Sequence, residues 1–263
     1  MHAPHPRRLF QGAPRILAAA ALAATAGCAT GPDRNPADPL EPLNRATFRF
    51  NDVIDRNIAQ PVARGYNRVV PRPLRTGVGN FFANLGVLPV MLNNFAQLRF
   101  ADGMSDLMRF ALNSSFGLLG VLDIATPAGI PTHAQDFGLT LGHYDVASGP
   151  YLVLPLFGPS TLRDAAGFGV DQYANPVNYA EPRVRNSLWG LNFVSTRAHY
   201  LHATDLLERA ALDKYLFVRD AYLARRQSKL DEDKPAALPD YDARQGAKAD
   251  KPAEGAGPGD RQE

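Results

Sequence analysis

The sequence predicts an all-α protein built from amphipathic and short, interrupted helices. Three observations carry that reading. Apolar residues recur at three- and four-residue steps along most of the chain, and strict alternation, the signature of a half-buried strand, is nearly absent. The 22 prolines and 22 glycines fall largely between apolar segments or at their ends, as in Gly149-Pro150 and Gly158-Pro159. Short apolar helices punctuated in this way suit a flat or ring-shaped arrangement, or a body partly immersed in lipid. A soluble bundle with elaborate loops remains an open alternative.

The elements follow in chain order. Arg7, Arg8 and Arg15 precede the apolar run from Ile16 to Ala24 and the small residues Thr25-Ala26-Gly27. That is a secretory signal peptide over residues 1–27; the run is shorter than the roughly 20 residues a membrane-spanning helix needs. Cys28, the only cysteine, follows Ala-Gly as in a bacterial lipobox, with Thr25 where that box usually has Leu. An ordinary signal with an incidental cysteine is the alternative. An Asp at position 29 would resemble the inner-membrane retention signal of enteric bacteria; Ala29 stands there instead, which by that resemblance suggests sorting to the outer membrane. Arg7-Arg8-Leu9-Phe10 resembles part of a twin-arginine export motif, but a generic basic leader explains it better.

Residues 28–37 read as an acylated cysteine and tether, 38–229 as the folded body, and 230–263 as a disordered tail rich in charge, Ala, Pro and Gly. In the body, Leu43, Phe50, Ile54 and Ile58 predict a helix ending before Pro61. A second starts at Pro73 and a third at Pro89, running to Leu98. A fourth spans Ser105 to Phe116, and another Ser160 to Tyr173, with Ser160 as N-cap. One or two long helices fill Val184 to Lys229. Tyr151–Leu154 is the best strand candidate, cut short by Pro155.

Composition narrows the function. Hydrophobic residues at 45% and charged residues at 21% describe a packed protein, and one cysteine excludes an intramolecular disulfide framework. Without the leader's three arginines the 28 basic residues fall to 25 against 26 acidic ones, a net of about −1. Such a body gives no electrostatic reason to bind nucleic acid. The chain has no Gly-x-Ser-x-Gly elbow and no phosphate-cradling Gly-x-x-x-x-Gly-Lys loop. Gly77-Val78-Gly79 begins a dinucleotide fingerprint that Phe82 breaks. His199 and His202 stand three apart, but without a carboxylate in register solvated histidines explain them better than a metal. No cofactor is implied.

Three strings are distinctive: Asp38-Pro39-Leu40-Glu41-Pro42-Leu43-Asn44-Arg45 with Phe48 and Phe50-Asn51; Asn113-Ser114-Ser115-Phe116-Gly117-Leu118-Leu119-Gly120 running to Asp123; and Asp136-Phe137-Gly138-Leu139-Thr140-Leu141-Gly142-His143-Tyr144, continuing through Pro155 and on to Gly158–Asp164. In this order behind a lipobox-like cysteine, they resemble the MlaA/VacJ family of bacterial outer-membrane lipoproteins over Asp38 to Arg226. The resemblance implies a ring-shaped helical protein lying in the inner leaflet of the outer membrane, anchored on the periplasmic side through Cys28. It further implies an amphipathic channel that removes misplaced phospholipids and passes them to an MlaC-type periplasmic carrier, with outer-membrane porin trimers as partners and no enzymatic activity. A lipoprotein adaptor that organises porins without moving lipid is the alternative.

In such a ring, Phe81, Phe82, Leu85, Val87, Leu88, Met91, Leu92 and Phe95 are candidates to face the membrane, or else ordinary core. Gly138, Gly142 and Gly149 are candidates for a movable channel wall, or else a turn cluster. Asn44, Phe48 and Asn51 are candidates for gating, against capping or packing.

Overall fold

A computed structural model describes residues 38–232. The predicted signal peptide, Cys28 and tether, and the tail from 233 onward, lie outside the described residues. Helix α1 (Glu41–Ile54) runs through a π-helical turn, Asp55–Ala59, into α2 (Gln60–Val69). Then come α3 (Arg72–Ala96), α4 (Phe100–Ser115), α5 (Phe137–His143), strands β1 (Tyr151–Leu154) and β2 (Gly158–Thr161), and α6 (Leu162–Ala174). A 3-10 turn, Pro176–Tyr179, leads to α7 (Pro182–Ala210) and α8 (Lys214–Glu232).

The all-α reading holds, with one small antiparallel ribbon added. Tyr151–Leu154 is a strand as expected, and Gly158–Thr161 pairs with it in the register Tyr151 opposite Thr161 and Leu154 opposite Gly158. Two proline boundaries are corrected. Pro61 does not end a helix, because the π-turn before it gives the pyrrolidine ring room that a regular turn denies. Pro89 starts no helix: it sits inside the 25-residue α3. A proline there costs about 3 kcal/mol in isolation, and the packing of α3 along α4 overrides it. The cap of α6 is Thr161 rather than Ser160, its hydroxyl accepting from the Asp164 amide. Phe137–His143, read as part of a glycine-rich wall, is a short helix capped by Asp136.

The packing contacts close a circuit. α2 packs on α7, α7 on α3, and α3 on α5 and α6. In turn, α6 meets both strands, and β1 meets α1, which continues into α2. That closure is what a ring requires. The α5–α6 contact depends on glycine. A Cβ on Gly167 would lie 2.3 Å from the Gly138 nitrogen, and one on Gly138 would lie 2.9 Å from the Asp164 Cα, so two backbones touch where side chains would hold them apart.

Ion pairs tie the distant segments together. Arg226 on α8 donates to Asp164 at 2.7 Å and to Asp136 at 2.5 and 2.9 Å, and the Tyr222 hydroxyl donates to Asp164 at 2.7 Å. On the other side, Arg197 on α7 grips Asp55 through Nε at 2.5 Å and Nη2 at 2.8 Å. Burial alone would raise both carboxyls. The Tyr222 and Arg226 contacts reverse this at Asp164, and Arg197 with Gln60 reverses it at Asp55, so both titrate below the usual aspartate range. Half-buried Asp171 is shifted the other way, upward, by desolvation.

A carboxyl whose folded value is depressed adds stability above its unfolded value, near 3.9, and loses it as the pH falls through the folded value. Urea midpoints should therefore stay nearly level from pH 7 to about 4 and drop below it. Asp55→Asn should flatten that drop. An equal acid slope in this variant would remove Asp55 from the account.

Candidate functional site

Burial in this protein is inverted. Among the described residues, ten apolar residues are buried against seventeen polar or charged ones, while thirty-four large apolar residues are exposed. The buried polar groups are organised rather than stranded. Thr140 donates to Asn93 at 2.8 Å, Asn93 donates to Asp171 at 2.8 Å, and Gln97 donates to Thr140 at 2.9 Å. Asn94 donates to Asp106 at 2.6 Å, and Asp106 also pairs with His133 at 2.8 Å. Bonds of this kind offset much of the cost of burying polar groups. An apolar exterior around a hydrogen-bonded interior is the inverse of a water-soluble domain, and large exposed apolar area marks contact with lipid or another protein.

The three residues singled out on α1 have a common task. Asn44, 1% exposed, donates to the Tyr151 carbonyl at 2.9 Å and to Asp38 at 3.0 Å, and it accepts from the Val153 amide at 2.9 Å. Two helical turns later, Asn51 donates to the Leu154 carbonyl at 2.9 Å and accepts from Leu156 at 2.8 Å. Two asparagine side chains thus serve as a substitute strand along the free edge of β1. Phe48, between them, packs edge-on against Tyr215 at 5.7 Å. Tyr215 also donates to Asp38 and is itself pushed well up by burial and by that carboxylate.

The glycines divide. Gly138 and Gly142 lie in α5, where a Cβ would meet Asp164 and Arg163 respectively at 2.6 Å. Gly149 alone of the three has a positive φ, +67°, in the loop entering β1. Of the α3 residues expected to face the membrane, only Leu92 is exposed, at 50%. Val87 is buried, and Phe81, Phe82, Leu85, Leu88, Met91 and Phe95 are half-buried. Phe95 packs where Gly103 on α4 leaves space. The more exposed apolar surface is on α4 and the loop after it: Met104, Met108, Phe116, Leu118 and Leu119 are 55% to 72% exposed. Leu118 and Leu119 hold left-handed φ values of 53° and 58°, a strain of about 1 kcal/mol each or more. Asn113 braces the loop by accepting from the Ile124 and Ala125 amides at 2.8 and 2.9 Å.

None of the expected wall or gating residues lines the α2–α3–α7 cavity; of the candidates to face the membrane, Phe82 does. That cavity, about 840 Å³, lies where α2, α3 and α7 meet. Tyr66 and Asn67 come from α2; Arg72, Arg75, Gly79, Asn80 and Phe82 from α3; Asn192, Ser195, Thr196 and His199 from α7. Sequence reading missed all of these except Phe82, Gly79 as part of an incomplete fingerprint, and His199 as a dismissed metal ligand. Among the described residues, no cluster of three ligating side chains could hold a metal. Arg75 Nη1 donates to Asn67 Oδ1, and Asn67 in turn donates to the Ala198 carbonyl at 3.1 Å. The Arg75 Nε and the Tyr66 hydroxyl are buried without a partner. The cavity can therefore accept a polar, anion-bearing group while its surroundings remain apolar.

Comparison with known proteins agrees with this geometry. The family model described as MlaA lipoprotein matches residues 36–229. The chain is 39% identical over 217 residues to the intermembrane phospholipid transport system lipoprotein MlaA of Escherichia coli strain K12, covering 80% of this chain and 86% of the relative. It is 33% identical over 228 residues to the protein of that name from Haemophilus influenzae, covering 83% and 90%. A solved chain described as "Structural basis for maintenance of bacterial outer membrane lipid asymmetry" superposes with a TM-score of 0.66 at 38% identity, over 75% of this chain and all of that one.

Proposed function

The chain belongs to the MlaA lipoprotein family, and we propose from that premise that it removes mislocalised phospholipids from the outer leaflet of the outer membrane. On this reading it passes them through the α2–α3–α7 cavity to a soluble periplasmic carrier. A role in the intermembrane phospholipid transport system follows from its relatives, which are lipid-transport lipoproteins and not a known enzyme family. The observation that carries the route is the cavity of about 840 Å³, whose mixed wall includes Asn, Ser, Thr and Arg side chains, in a body that exposes many large apolar residues. A phospholipid crossing hydrocarbon must carry a charged headgroup at a cost of several kcal/mol unless polar groups accompany it. Asn67, Asn80, Asn192 and the arginines offer such company, and the acyl chains can stay against apolar walls.

The remaining assignments follow from the same reading. No helix among the described residues is long and apolar enough to cross a membrane. Acyl chains on Cys28 would hold the body at the bilayer, each buried methylene adding about 0.8 kcal/mol. The braced apolar loop at Phe116–Leu119 would enter the leaflet, and porin trimers would supply a fixed neighbour there. Asn44, Phe48 and Asn51 would act on the passage by holding the β1 side of the ring, and the backbone at Gly149 has the freedom to move that side.

The test is lipid transfer. Vesicles carrying the purified lipoprotein are offered a soluble MlaC-type acceptor, and the acceptor's lipids are identified by mass spectrometry. Intact phospholipid dependent on the lipoprotein is the expected result. Lysophospholipid or fatty acid would overturn it in favour of hydrolysis. Absence of transfer with porin binding preserved would leave the adaptor role.

A further inference from the structure

Resting on the cavity as a lipid passage, we propose that it selects its cargo by headgroup charge, favouring phospholipids of net negative charge over zwitterionic ones. Arg72 and Arg75 both lie in the first turn of α3, which contains no acidic residue. Cations are disfavoured there, because the helix dipole already places partial positive charge at that end. Eight arginines among the described residues sit in ion pairs with carboxylates: 45, 56, 99, 109, 163, 197, 219 and 226. Neither Arg72 nor Arg75 does, and no carboxylate lines the cavity they enter.

Three further features point at an anion. The Asn67 contact holds the Arg75 guanidinium in one orientation while its Nε stays buried and unbonded. The Tyr66 hydroxyl is a second unpartnered donor on the same wall. The third is the start of α3 itself, since the N-terminus of a helix favours an anion. A phosphodiester fits this set, since guanidinium groups bind phosphate oxygens in pairs.

The second charge of the headgroup decides selectivity. An ammonium, as in phosphatidylethanolamine, would meet two guanidiniums and no carboxylate. Its available partners would be neutral oxygens such as that of Asn80, whose amide nitrogen is already donated to the Val121 carbonyl at 3.2 Å. A glycerol headgroup brings hydroxyls instead, which Ser195, Thr196 and Asn80 can bond without charge repulsion.

The experiment uses the full lipoprotein in vesicles holding equal phosphatidylglycerol and phosphatidylethanolamine, with the soluble acceptor and mass spectrometry as readout. The expected result is about fivefold enrichment of phosphatidylglycerol on the acceptor. The double variant Arg72→Gln/Arg75→Gln should remove the enrichment, read as the ratio of the two lipids on the acceptor at whatever total transfer remains, and Arg75→Lys should restore part of it. Enrichment that survives the double variant places selectivity in the acceptor and overturns the proposal, as does a wild-type ratio equal to that of the vesicles. Native mass spectrometry of the detergent-purified lipoprotein offered both lipids separates this from failure of the transport reading. Arginine-dependent retention of phosphatidylglycerol supports the site even without transfer, and equal retention of the two lipids overturns it.

Discussion

Gly79→Trp is expected to lower lipid transfer at least about tenfold, the effect of adding ~1.4 kcal/mol to the barrier, while the protein folds normally. Gly79 lines the cavity, and a Cβ built on it meets no atom within 4 Å. Its backbone is helical, so a side chain adds no strain and gains about 0.5–1 kcal/mol of helix propensity at most. The indole would project among Asn80, Arg75 and Ser195, where a headgroup would have to pass. Gly79→Ala should transfer normally, because a methyl group leaves the space open. Gly65→Trp is the second control: a Cβ at Gly65 also meets nothing, but Gly65 is not part of the cavity wall. Transfer by the three variants, with circular dichroism to confirm folding, separates the readings. Normal transfer by Gly79→Trp would remove this cavity as the route, and an adaptor would be indifferent to all three.

The cavity was nearly illegible in the sequence, for a physical reason. Its lining is gathered from three helices, and its uncharged polar members are mainly Asn, Ser and Thr, which also serve as caps, turns and solvated faces. One signal was available: Arg72 and Arg75 at the start of a helix with no acid nearby, where the dipole argues against them. The elements were easier. Period alone located most helices, since a packed face repeats at three and four residues whatever its partner. Proline misplaced two boundaries, because its cost is local while the compensation, a π-turn before Pro61 and the α3–α4 packing around Pro89, is tertiary. Strand β2, Gly-Pro-Ser-Thr, carries no apolar alternation and forms because β1 lies opposite it. The exposed apolar surface was only partly legible as well. Apolar runs such as Phe81–Phe95 are half-covered by α4 and its loop, whereas the exposed Leu118 and Leu119 sit in a glycine-broken turn that has no helical face to read.

Asn44→Asp tests the other end of the ring and is expected to cost more than any other single isosteric change on α1. The asparagine amide donates to the Tyr151 carbonyl and the Asp38 carboxylate, and its oxygen accepts from Val153. Truncation to Ala leaves the buried Tyr151 carbonyl and Val153 amide unpaired, at about 1–3 kcal/mol each. Aspartate keeps the acceptor for Val153 but loses both donations, and it sets a second carboxylate where the amide stood 3.0 Å from Asp38. Two carboxylates so close cannot both ionise cheaply, so the introduced group's pKa is raised above its unfolded value. By linkage its destabilisation is greatest at neutral pH and shrinks as the pH falls toward that unfolded value, since the protonated acid regains one donor. Urea midpoints should therefore show Asn44→Asp less stable than Asn44→Ala at pH 7, with the gap closing by pH 5. Asn51→Ala, at a half-buried position bonded to the end of β1, should cost only about 1 kcal/mol. If Asn44→Asp were as stable at pH 7 as the parent, the asparagine clamp would not be what holds β1 to α1. Asn51 and the packing of Phe48 against the Tyr151–Val153–Tyr215 cluster would then have to carry that contact.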